Sequence, residues 1–180
     1  LEAVQHLRKG MEVLQTLPMG PIARLTLDPK ALGLTEAEFS TVIESDQPLI
    51  ADRTMSWDPD GYGSHAETSV GRPLTQWFPA EGATIGGFEL FYLVQNPNAT
   101  DATVEVRYLL PAPQAPVVRT YTVTARSRFN IWVNQQDPLL DDAEVSAVVE
   151  QPAMLRLAAC RSVSSKHAIS PPARRAARAS

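Results

Sequence analysis

The chain has 180 residues, with 16 Lys plus Arg against 20 Asp plus Glu and a formal net charge of −4. At roughly 100–200 residues per domain, that is one domain or a little more. The single cysteine, Cys160, excludes an internal disulfide and any CxxC metal site. The longest apolar run, Leu90 to Val94, falls far short of the roughly 18–20 residues a membrane helix needs. The acidic balance excludes a nucleic-acid binder, which is basic over its folded part.

The charge is unevenly placed. Residues 160–180 carry +5 and no acid, leaving −9 on 1–159. This stretch ends in "SPPARRAARAS", rich in Ser, Ala and Pro. It holds too little apolar surface to offset its ordering entropy and is expected to be disordered. The other end begins within patterned sequence at Leu1, without an initiator Met or a signal-peptide pattern. The chain therefore reads as an excerpt of a longer one.

In chain order, the apolar residues Leu1, Val4, Leu7, Met11, Leu14 and Leu17 recur at three- to four-residue steps, a helical stripe interrupted by Gly10. Thr35 and Glu38 have capping-box spacing ahead of 36–44. From there the patterning is that of β-strands. The run 88–95 ("FELFYLVQ") is apolar on nearly both faces, as a central strand is. In 104–108, Val104, Val106 and Tyr108 alternate with Glu105 and Arg107. The segment 117–124 ("VVRTYTVT") is β-branched and aromatic. Phe129, Ile131 and Val133 alternate with Asn130 and Trp132, and Val145, Ala147 and Val149 share one face. Pro-, Asn- and Asp-rich turns at 96–101, 111–116 and 134–138 separate these runs, and the 15 prolines disfavour a helical bundle. Short strands at this spacing predict an all-β protein, an antiparallel β-sandwich.

The chain also repeats itself. "AEFSTVIESDQPLIADR" (37–53) resembles "AEVSAVVEQPAMLR" (143–156), and "ARLTLDPKALGLTEAEFS" resembles "SRFNIWVNQQDPLLDDAEVS". Arg24 then pairs with Arg128 at a separation of 104, and Phe39 with Val145 at 106. Further back, "VQHLRKGMEVLQTLP" lies opposite "VRYLLPAPQAPVVRTYTV". On this register 1–17 is a hairpin turning at Arg8-Lys9-Gly10, and 36–44 leads into a strand. A repeat of this length constrains more than one helical stripe does, so the strand reading is preferred. It divides the chain into the C-terminal half of one unit (1–52), a nearly whole unit (53–158) and a basic tail (159–180).

Several stretches carry a family resemblance: "ESDQPLIADRTMSW" (44–57), "GSHAETSVG" (63–71), "WFPAEGAT" (77–84), "GFELFYLVQNPNATDATVEVRYL" (87–109) and "RTYTVTARSRFNIWV" (119–133). In this order and spacing, over roughly 40–150, the chain resembles the tandem β-sandwich repeats of large secreted and surface proteins of bacteria. From 151 onward, "QPAMLRLAACRS" departs from the family pattern. The resemblance implies an immunoglobulin-like sandwich in a string of modules, secreted or on the cell surface, and transfers no catalytic residues. Neighbouring units of the same chain are the implied partners.

Candidate chemistry is sparse. Asp58 and Asp60, in the Asp-Pro-Asp-Gly turn, offer oxygens to a calcium ion but lack a full twelve-residue calcium loop; no other cofactor is suggested. His65 with Glu67 and Glu81 is the one group of residue types suited to zinc or acid–base work, while Glu81-Gly82 equally reads as the close of a turn. No HExxH, GxSxG or Cys–His pattern occurs, so no enzyme is expected. Trp57, Tyr62, Trp77 and Phe78 could form an aromatic platform for sugars or plug the core. Together Trp57, Asp58, Asp60, Tyr62, His65, Trp77 and Glu81 make up the candidate binding set. Arg53, beside Asp52, is read as an ion-paired anchor, and Arg128 and Asn96 as further anchors. Trp132 faces outward or toward the preceding unit, and Asn98-Ala-Thr100 has the form of a glycosylation acceptor. The expected function is a non-catalytic spacer or adhesive module with no nucleic acid bound and no membrane insertion. The alternative is a module that binds carbohydrate or cell wall, a surface polysaccharide or protein, through the Trp57–His65 loop.

Overall fold

The structure, a computed structural model, describes residues 2–8, 11–35, 39–57 and 63–163. The chain is all-β, as the alternation predicts. Its strands are β1 (Glu2–Arg8), β2 (Met11–Leu17), β3 (Phe39–Ser45), β4 (Asp52–Trp57), β5 (Gly63–Thr68), β6 (Leu74–Trp77), β7 (Phe88–Asn96), β8 (Ala102–Leu109), β9 (Val117–Val123), β10 (Ser127–Trp132) and β11 (Ser146–Val163). The helical elements among the described residues are 3-10 turns of three or four residues.

Among the described residues every strand pairing is antiparallel, and the strands form three groups. The first is a three-stranded sheet in the order β2-β1-β3. Gln5 in its central strand lies opposite Leu14 on one side and Val42 on the other. The stripe in 1–17 is thus resolved as a hairpin, and 39–45 as a strand. The second is the hairpin β4-β5. The third, in the order β10-β7-β11-β8-β9 with β6 also on β11, is built around the 18 residues of β11. The first half of β11 pairs with β8, placing Val148 opposite Arg107, and with β6, placing Val149 opposite Trp77. Its second half pairs with β7, from Arg156 opposite Gln95 to Val163 opposite Phe88. β11 runs to Val163, past residue 158, where the repeat ends the unit. Residues 164–180 lie outside the described residues.

The two halves of this third group face each other as a sandwich. From β7 the even positions Leu90, Tyr92 and Val94 turn inward; from β8, Ala102, Val104, Val106 and Tyr108; from β11, Ala147 and Val149. All are buried, following the two-residue period of a strand. Tyr92 and Tyr108 stack across the core, 6.2 Å between ring centroids and 7° between planes. The Tyr108 hydroxyl is 2.9 Å from that of Tyr121, which donates to Gln136 Oε1 at 2.9 Å. The Tyr92 hydroxyl is buried with no hydrogen-bond partner among the described residues.

Buried polar side chains pin both ends of the sandwich. At the end where β7 begins, the Thr84 hydroxyl donates to Leu140 O at 2.8 Å and accepts from the Ala143 N–H at 2.8 Å. Beside it Gly82 passes so close to the core that a Cβ would sit 2.7 Å from Leu90 Cδ2 and 2.8 Å from Val145 O. Only glycine allows the 2.9 Å bond from Val145 N–H to Gly82 O without displacing backbone. At the other end, where β7 finishes, the pin is Asn96.

Burial pushes the phenols of Tyr92 and Tyr108 well above the ordinary tyrosine value near 10, with the bond to Tyr121 adding to the shift for Tyr108. The folded state therefore holds protons that the unfolded chain releases above about pH 10, so stability is intact below that pH and falls above it. Each of the two contributes a slope of up to about 1.4 kcal/mol per pH unit. Urea midpoints measured from pH 7 to 11 should stay level to about pH 9.5 and then drop. Burial raises the Tyr121 phenol too, so Tyr92→Phe should lessen the drop without abolishing it, and be neutral or stabilising at pH 7 because it removes a buried hydroxyl without a partner among the described residues.

Candidate functional site

The candidate residues that gather in one place are on the β4-β5 hairpin. Arg53 lies directly opposite Glu67, and Met55 opposite His65. These four are half-buried, whereas Asp52, Thr54, Ala66 and Thr68 are exposed. The Arg53 guanidinium is ion-paired to Glu67 Oε1, and His65 Nε2 lies 3.5 Å from Glu67 Oε2. One carboxylate is thus shared between a guanidinium and an imidazole. The partner of Arg53 is Glu67 and not its neighbour Asp52, because successive residues of a strand point to opposite faces. The cross-strand residue is the one within reach.

This cluster does not extend to the remaining candidates. Glu81 is exposed in the loop after β6, and Trp77, on β6, is packed against the core with its indole N–H buried and without a partner among the described residues. No group of three or more His, Cys, Asp or Glu side chains suited to a metal ion occurs among the described residues. Trp57 ends β4 opposite Gly63. Asp58, Asp60 and Tyr62, and with them the proposed calcium position, lie outside the described residues. A carboxylate held by two basic groups is suited to holding two strands in register.

Two further positions singled out from the sequence have defined roles in the fold. Asn96 is fully buried. Its Nδ2 donates to Thr100 O, Val123 O and Thr124 O at 2.9, 3.0 and 3.2 Å. Its Oδ1 accepts from the Asn98 N–H at 3.0 Å and from Asn98 Nδ2 at 2.9 Å. One amide thereby ties the β7–β8 crossover to the end of β9, and the Arg126 N–H closes the same corner on Asn98 O at 2.9 Å. The amide nitrogen of Asn98, the residue in the glycosylation-like triplet, is engaged in this corner. Arg128, on β10, donates through Nη1 to Phe39 O at 2.9 Å and through Nη2 to Asn130, linking the sandwich to β3. Trp132 is half-buried and stacks on Phe91 with 5.5 Å between centroids. Cys160 takes part in β11 opposite Phe91.

No family model matches the chain, and no curated protein matches it. Among solved structures, the Anabaena sensory rhodopsin transducer is similar at 23% identity and a TM-score of 0.43, over 51% of this chain and 98% of that one. At that level the likeness assigns no function.

Residues that the sequence did not point to include the outer-face group of Glu105, Arg107 and Glu150. Arg107 Nη2 lies 3.2 Å from Glu105 and 3.9 Å from Glu150, and Glu150 also meets Gln76. The alternation in 104–108 marks Glu105 and Arg107 as outward-facing, but their closeness to Glu150 depends on the pairing of β8 with β11.

Because the Asn96 amide satisfies carbonyls buried at the corner, Asn96→Ala should cost about 2–4 kcal/mol of global stability. Urea unfolding checks this; a loss under about 0.5 kcal/mol would show that water replaces the amide.

Proposed function

We propose that this chain is a non-catalytic β-sandwich module of immunoglobulin-like type, part of a tandem array in a secreted or cell-surface bacterial protein. In this reading it acts as a spacer or adhesive element, and its partners are neighbouring units of the same chain. Each unit buries its own core, and short connections strap one unit to the next, so the array extends along one direction.

The observation that carries the tandem reading is a coincidence of registers. The offsets of the repeat, 102 from Val4 opposite Val106 for β1, 104 from Arg24 opposite Arg128 for β2 and 106 from Phe39 opposite Val145 for β3, send Gln5, Leu14 and Val42 to Arg107, Val118 and Val148. Gln5 pairs with Leu14 and Val42; Arg107 pairs with Val118 and Val148. The sheet β2-β1-β3 thus has the strand order and pairing of β9-β8-β11. A shift of one residue in any offset would break the match and turn the side chains to the other face. The arrangement at Arg53, Glu67 and His65 supports the non-catalytic part of the reading. The secreted or surface setting rests on the family resemblance alone.

The alternative is a carbohydrate- or wall-binding module using the Trp57–His65 loop. No observation on the described residues favours it.

Small-angle scattering on chains with two, three and four tandem units should give a maximum dimension that grows in proportion to unit number. Compact particles whose size grows only as the cube root of mass would contradict the spacer reading.

A further inference from the structure

The β4-β5 hairpin is a two-stranded element, which is marginal on its own in water. Strand order says what β4 corresponds to in the second unit: β4 follows β3 as the second half of β11 follows its first half, the counterpart of β3. Gln47-Pro48 lies opposite Gln151-Pro152 at an offset of 104, and continuing at that offset sets half-buried Ala51 against buried Leu155 and Asp52–Trp57 against residues 156–161. In the second unit that stretch is the second half of β11, paired along β7. β4 is therefore the counterpart of a strand that has a β7 at its side.

The backbone directions agree. The Ser69 N–H donates to Ala51 O at 2.8 Å, so residue 51 faces β5. Backbone groups alternate between the two edges of a strand. Arg53 and Met55 then face β5, leaving Asp52, Thr54 and Ser56 with their N–H and C=O groups on the open edge. In the second unit the Leu90 N–H and the Phe88 carbonyl both turn to Asn134, just past β10. The even-numbered groups of β7 hence face β10, and Glu89, Phe91, Leu93 and Gln95 face β11. Their partners there are residues 162, 160, 158 and 156. Subtracting 104 from 156, 158 and 160 gives 52, 54 and 56, the groups that β4 leaves open. An odd offset would have directed these groups at β5.

We propose that the open edge of β4 seats a β7-type strand from a unit preceding it in the same chain. β4 and β5 are then the last two strands of that unit's second sheet, and adjacent units interlock by sharing strands. By the same geometry, residues 157, 159 and 161 of β11 face away from β7, toward the side that a following unit's β5 takes. Main-chain hydrogen bonds supply the attachment, as in strand addition generally. The proposal rests on the tandem-unit reading above.

The test uses the 180-residue chain and a synthetic peptide of residues 86–97 (GGFELFYLVQNP), with amide hydrogen exchange resolved by residue. Saturating peptide should slow exchange at Asp52, Thr54 and Ser56 by about tenfold or more. N-methylation of the peptide at Phe91 and Leu93, whose N–H groups face the shared edge, should abolish this effect; N-methylation at Leu90 and Tyr92 should leave it intact. Thr54→Pro should also abolish it while retaining protection at Arg53 and Met55, because it removes an N–H on the open edge. Absence of protection on β4, protection on the β2-β1-β3 edges in its place, or indifference to the N-methylation pattern would each overturn the proposal. Elongated tandem arrays without peptide protection would overturn strand sharing and leave the spacer reading standing. Compact arrays with protection would overturn only the spacer.

Discussion

The fold depends on one strand belonging to both layers of the sandwich. β11 completes the hydrogen bonding of β8 and β6 with its first half and of β7 with its second. The change of partner falls between Glu150 and Leu155, where the register against β6 shifts. A shift there is what an 18-residue strand needs in order to leave one layer and enter the other. Pro152 lies at this break, where a missing N–H costs least. Gln151 braces it by donating from Nε2 to Leu74 O at 2.9 Å. Neither layer has its full set of strands without β11.

The two ends of the sandwich follow from the same arrangement. β7 and β8 are consecutive but lie in opposite layers, as do β9 and β10, so the chain crosses the core edge twice at one end. Asn96 satisfies the carbonyls left by both crossings, including that of Thr124 at the turn after β9. At the opposite end, Thr84 and Gly82 bring the approach to β7 against the segment that leads into β11. Between them the stacked Tyr92 and Tyr108 fill the middle of the core. An entirely apolar core would leave the crossing carbonyls unsatisfied, so both ends carry buried polar side chains, Thr84 at one and Asn96 with Ser127 at the other.

Much of this was legible in the sequence. The two-residue alternation in 104–108 and 129–133, and the apolar run 88–95, mark β8, β10 and β7. The internal repeat decides between helix and hairpin for 1–17, where periodicity alone points the other way: Leu7 and Leu14 satisfy both templates. What the sequence could not show is set by contacts across strands. The pairing of Arg53 with Glu67 in place of Asp52 depends on the β4-β5 register. The passage of 159–163 into β11 was hidden by a composition that turns basic and small at Cys160, because pairing to β7 draws on backbone groups that side-chain patterning does not report. Asn96 could be recognised as a turn residue but not as a latch, since its partners at Val123 and Thr124 are 27 and 28 positions away.

The claim that one strand unites the two layers is tested most directly by native-state hydrogen exchange along β11. If both layers depend on it, amides in 146–150 and in 156–162 open only with global unfolding, and their free energies of exchange coincide with each other and with the stability measured by denaturant. Free energies for 156–162 lying several kcal/mol below those for 146–150 would contradict the account, because the β7-β10 layer would then hold together without β11.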